Sequence, residues 1–127
     1  MKLIIAIAVE KDSTLHQGHF GDSPFFDVYE IDGSTITFIE RRENPLLTDE
    51  EPRHGKVKGI AAFLNDCDIF AGRSFGLHSL KKLYQLGKRA WLVKHLNVQE
   101  LLKDVSQKDS RKIMQFNPET GKFESMP

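Results

Sequence analysis

Residues 3–9 read Leu-Ile-Ile-Ala-Ile-Ala-Val, apolar at every position. A helix stripe would return every three or four residues, and a half-exposed strand would alternate. An unbroken, partly β-branched run of this length predicts a central strand buried on both faces of its sheet. The run is too short for a membrane span, which needs roughly 18–20 apolar residues. It carries only Lys2 ahead of it and passes straight into Glu10-Lys11-Asp12 without a small-residue cleavage site, unlike a secretory leader. The expectation is a soluble, cytoplasmic protein.

The chain has 127 residues, the size of one ordinary domain. Its 18 basic and 18 acidic side chains cancel, which argues against broad capture of nucleic acid or an anionic membrane. A single cysteine, Cys67, excludes an internal disulfide and a cage of thiolates. Cys67 reads as a small core residue.

After the first run, residues 10–23 are polar and glycine-containing and predict a loop. Residues 24–31 and 35–41 predict two strands joined by the tight turn Asp32-Gly33. Residues 43–55 form the longest irregular stretch, which predicts a mobile lid beside the His19 loop. Helical spacing then sets in at Val57, Ile60, Ala61 and Leu64. A short strand follows from Cys67 to Ala71, closed by Gly72-Arg73-Ser74. Leu77, Leu80, Leu83, Tyr84 and Leu86 mark a second helix, with Gly87 as its left-handed terminator. Ala90 to Val93 predict the last core strand. Asn97 and Glu100 form a capping-box pattern ahead of a third helix with Val98, Leu101, Leu102 and Val105 inward.

The order βββαβαβα predicts an α/β fold: a five-stranded mixed sheet flanked by helices, in a ribonuclease H-like arrangement. One domain would cover residues 1–105. Residues 106–127 would be a C-terminal extension, folded as a small hairpin or as a frayed helix to Phe116.

Ligands of open α/β sheets gather beyond the carboxyl ends of parallel strands. If the first and fourth strands are parallel neighbours, His19, Arg73 and the start of the second helix meet at one edge. Glycines there allow close approach, Arg73 offers a bidentate donor, and the helix start at Ser74–Leu77 offers free N–H groups to an anion. The same residues also fit a plain strand-to-helix turn with a solvated arginine. His16 and His19 are three apart, as in some metal sites, but a structural zinc site would need more ligands than the chain offers. His78 and His95 read as surface residues. No nucleophile elbow, phosphate loop or zinc-protease motif is present. A nuclease would need several acids on central strands, yet residues 3–9 hold none and Asp68 starts its strand rather than ending it.

The succession His19-Phe20-Gly21, Phe25-Phe26-Asp27-Val28-Tyr29, Asp32-Gly33, Glu43-Asn44-Pro45, His54-Gly55 and Gly59-Ile60-Ala61-Ala62-Phe63-Leu64 resembles the dinitrogenase iron–molybdenum cofactor biosynthesis family. The resemblance implies a ribonuclease H-like domain without nuclease activity, whose characterised members (the NifX-like and NafY-like carriers among them) bind iron–sulfur metallocluster precursors and pass them on. It implies an iron–sulfur or iron–molybdenum type cluster as ligand, His19 as its metal ligand, and His54 as a second loop element near the cleft. It implies a metallocluster donor or acceptor protein as partner. Arg73-Ser74-Phe75-Gly76 stands where the family has a glycine-rich turn, and departs from the glycine–proline pattern there. The expected function is a non-enzymatic carrier, with His19, Arg73, Ser74 and His54 in its site. The alternative is an interaction or regulatory domain that binds no cluster. A third reading is a small-molecule enzyme using His19 as acid and base.

Overall fold

The computed structural model describes residues 2–47 and 59–126. Its elements in chain order are β1 (Lys2–Val9), a 3-10 turn (Phe20–Asp22), β2 (Phe25–Asp32), β3 (Thr35–Glu43), α1 (helical residues 59–63), β4 (Ile69–Gly72), α2 (Leu77–Gln85), β5 (Arg89–Val93), α3 (Val98–Ser106), β6 (Ile113–Asn117) and β7 (Lys122–Ser125). Among the described residues the strands form one mixed sheet in the order β3-β2-β1-β4-β5-β6-β7. β1, β4 and β5 run parallel, and every other neighbouring pair is antiparallel.

The sheet therefore has seven strands, not the five expected from sequence. The two extra strands come from the tail. Ile113 and Phe116 lie three apart, which puts them on opposite faces of one strand, so they show neither a helical stripe nor strict alternation. What orders them is the free edge of β5: Trp91–Val93 pair with Gln115–Ile113, and β7 then pairs with β6.

The central run is buried on both faces. Ile5, Ile7 and Val9 pack with Ile69, Ala71, Val98 and Leu101 beneath α3. Ala6 and Ala8 face the other side, with Phe20, Phe26, Phe70, Leu64 and Leu80. The two alanines leave the volume that three phenylalanine rings fill, and close packing rewards that pairing of small with large. α3 opens on a side-chain cap, Asn97 Oδ1 accepting the Glu100 N–H at 3.0 Å. The Glu100 carboxylate reaches back to the Leu96 N–H, one residue before the cap itself. Past the end of α2, Gly87 sits at φ +80°, where a Cβ would be strained. Leu77, Tyr84 and Leu86, part of the sequence stripe of that helix, stay exposed, while Leu80 and Leu83 are buried.

No helix among the described residues is long and apolar enough to cross a membrane.

Candidate functional site

β1 and β4 are adjacent and parallel, so the chain leaves both strands at the same edge of the sheet. The loop after β1 is stitched down at once. The Glu10 N–H donates to Thr14 O at 2.8 Å, Leu15 N–H to Leu96 O at 2.9 Å, and His16 N–H to Ala8 O at 3.0 Å. Ser13 takes a left-handed conformation, φ 73°, to make the turn.

The loop is then anchored by an aromatic plug. Phe20 is buried, stacked on Phe70 at a centroid distance of 5.0 Å and on Phe75 at 5.4 Å. A side chain at Gly72 would place its Cβ 3.2 Å from the Phe20 ring, so the glycine there makes room for the plug. The Phe20 N–H donates to Ser74 O at 2.9 Å. This fixes the neighbouring His19: its imidazole is exposed, with Nδ1 2.8 Å from Ser74 Oγ. The two loops are thus joined backbone to backbone and side chain to side chain.

Asn44 holds the loop from below. It is buried, its amide donates to Gly21 O at 3.0 Å and Ser23 O at 2.8 Å, and its Oδ1 accepts the Leu46 N–H at 2.9 Å. Sequence reading quoted Asn44-Pro45 without giving it this bracing role. The signal was a short amide side chain at a strand end ahead of a proline.

Arg73 is partly buried, and its guanidinium has no hydrogen-bond or ion-pair partner among the described residues. It lines a cleft of about 540 Å3 together with Glu10, His16, Gln17, Gly18 and Leu96. Gly76, at the start of α2, provides no side-chain cap, and with the Ser79 N–H donating to Gly76 O, the Leu77 and His78 N–H groups have no partner among the described residues and stay available to an anion. The structure therefore joins His19 to Ser74 and puts Arg73, the residue before Ser74, in the cleft, whose described lining includes neither His19 nor Ser74. His54 lies outside the described residues, as does most of the stretch expected to be a lid.

The other candidates separate by environment. Cys67 is buried, and burial pushes its thiol up to about 12, so at neutral pH it carries no thiolate for a metal. His95, expected at the surface, is buried instead, with Nε2 2.7 Å from Asp104 Oδ2. His78 is exposed on the first turn of α2. Asp68 sits at the opposite edge of the sheet, where Oδ2 accepts the Ile4 N–H at 2.8 Å. Among the described residues no three His, Cys, Asp or Glu side chains converge on a point where they could hold a metal ion. Chemically, the edge offers imidazole, a guanidinium without a partner among the described residues, and helix N–H groups.

The family model described as dinitrogenase iron-molybdenum cofactor matches residues 1–108. Among solved structures, the chain is similar to the orange protein from Desulfovibrio gigas in its apo form, with a TM-score of 0.66, 18% identity and coverage of 84% of this chain and 88% of that one. It is similar to a candidate NifB protein from Thermotoga, with a TM-score of 0.60, 17% identity and coverage of 84% and 90%. It is also similar to a candidate dinitrogenase from Methanocaldococcus jannaschii, with a TM-score of 0.61, 11% identity and coverage of 99% and 96%. At these identities the likeness concerns the fold. Among curated proteins none matches the sequence significantly.

Proposed function

We propose a function from one premise: the chain belongs to the dinitrogenase iron-molybdenum cofactor family. On that premise the protein is a non-enzymatic, cytoplasmic carrier of an anionic iron–sulfur type metallocluster or its precursor. The carrier domain is residues 1–105, a ribonuclease H-like frame, with residues 106–127 as its extension. The cargo sits at the edge where β1 and β4 end.

The observation that carries the reading is the His19–Ser74 pair at 2.8 Å, next in sequence to Arg73, which has no partner among the described residues. With Nδ1–H donating to the Ser74 hydroxyl oxygen, Nε2 of the exposed neutral ring keeps its lone pair for a metal. Arg73 and the start of α2 supply donors and positive potential for sulfide or oxo groups. His54 belongs to the same proposal through its place in the family pattern. A preformed cluster brings its own inorganic ligands, so few protein atoms suffice to hold it, and few bonds must break when it passes to an acceptor protein. Leu77 and Leu96, 81% and 61% exposed, support a protein partner near this edge. The same two leucines also favour the second reading, an interaction domain that binds no cluster.

The test is anaerobic titration with a synthetic cubane iron–sulfur cluster, followed by visible absorption. The parent protein takes up cluster and turns brown, and His19→Ala weakens uptake without unfolding the domain. Uptake by neither protein, or equal uptake by both, would move the assignment to the interaction domain.

A further inference from the structure

His16 and Glu10 have no part in the carrier site as proposed above, yet they line the same cleft as Arg73. The Glu10 carboxylate contacts His16 Nδ1. A carboxylate only accepts, so a ring proton lies on Nδ1, and in the neutral ring the lone pair is left on Nε2. This carboxylate–imidazole pairing is the one that orients histidine ligands in metal sites. Nε2 itself is buried and has no hydrogen-bond partner among the described residues. Buried polar atoms are normally satisfied, and an orphan on a cleft wall calls for a ligand.

The surrounding chain combines a fixed base with a loose cover. The His16 and Leu15 N–H groups are tied to Ala8 O and Leu96 O, so the ring stands on a fixed backbone. Gly18 closes over it: a Cβ there would stand 2.8 Å from His16 Nε2, a distance no real side chain tolerates. Gln17 and Gly18 are exposed, and no hydrogen bond ties them to the rest of the described residues. The cover can lift without breaking the sheet or the aromatic plug.

We infer that His16 Nε2 is a second metal-ligating atom of the carrier site, oriented by Glu10 and covered by Gly18, and that the cleft takes a preformed anionic metal–sulfur or metal–oxo complex rather than a bare divalent cation. The inference rests on the carrier reading. The ligand class follows from the donor set. A bare divalent ion would need three or four protein ligands, and no three such side chains converge among the described residues. A complex that keeps its inorganic ligands needs one imidazole and a countercharge, which Arg73 supplies from the same cleft. In loading, Nε2 donates its lone pair to a metal of the complex and one exogenous thiolate leaves.

The test is anaerobic titration of the full chain with a synthetic thiolate-ligated cubane iron–sulfur cluster, and separately with zinc ion. It is read by visible absorption and by nitrogen-15 NMR of the histidine rings. Loading is expected to move the His16 Nε2 resonance. Glu10→Gln, which keeps the shape of the wall, is expected to lower cluster affinity by about tenfold or more. His16→Ala is expected to lower it further, with zinc binding weak in every variant. Uptake lost in His19→Ala but unchanged in His16→Ala and Glu10→Gln would overturn the second ligand and leave the carrier reading standing. No uptake by the parent would overturn both. Tight zinc binding that disappears in His16→Ala would overturn the ligand class.

Discussion

Asn44 shows how much one short side chain contributes at this edge. It satisfies two carbonyls of the loop that follows His19 and one N–H of its own segment, all with little access to water. Asn44→Ala leaves those groups unpaired and is expected to cost about 2 kcal/mol, read as a lower urea midpoint at unchanged slope. It should also weaken cluster uptake, because Gly21 and Ser23 lose their tether. Cys67 makes the opposite case, a reactive group kept inert. With its thiol pushed up to about 12 by burial, the folded protein is expected to resist thiol reagents at pH 8, and the urea-unfolded chain to react at once. Rapid labelling of the folded chain would show that the start of β4 opens.

At the scale of elements, an ion pair ties the turn after α1 to β3. Arg42 donates from two nitrogens to the Asp66 carboxylate, at 2.8 and 2.7 Å, and this holds Asp66 at about 2, below the ordinary carboxylate value of 3.8. A carboxyl lowered on folding adds stability above its unfolded value and loses it as pH falls toward the folded one. The contribution is therefore complete at neutral pH and fades between about pH 4 and pH 2. Because the Asp66 side chain is 60% exposed, solvent screening keeps the contribution below about 1 kcal/mol. Acid titration of the parent and Asp66→Asn should give stability curves that differ at pH 6 and converge near pH 2. Curves that stay parallel would remove the pair from the account of how α1 is held.

For the whole molecule, the tail completes the sheet that positions the site. β6 and β7 cover the edge of β5, and Ile113 and Phe116 are buried in the two cores. Phe123 of β7 packs against Phe75, at a centroid distance of 6.0 Å, and Phe75 stacks on the Phe20 plug. Truncation after residue 108 is expected to cost several kcal/mol, since each buried side chain of this size contributes roughly 1.5–3 kcal/mol. It also uncovers a strand edge that invites association. Thermal melts with light scattering should show a lower midpoint and earlier aggregation. An unchanged melt would mean the hairpin only rests against the domain.

By itself the sequence determined the central strand, the Asp32-Gly33 hairpin, the alternation of later helices and strands, the capped start of α3 and the edge at which His19 and Ser74 meet. Each of these is written in local periodicity, in turn chemistry, or in the rule that parallel strands open at one end. Tertiary structure alone decided the rest. The strand number rose to seven because the free edge of β5 recruits a tail whose own pattern is indistinct. Histidines with similar loop contexts were sorted by what folds against them. His95 is buried on Asp104, His19 leans on a serine 55 residues away, and His16 turns one nitrogen to Glu10; among the described residues the second nitrogens of both His95 and His16 are unpaired, but only His16 lines the cleft with Arg73. Contacts between residues far apart in the chain leave no periodic trace in the sequence, because they follow from how sheet and helices pack and not from any one segment's preference.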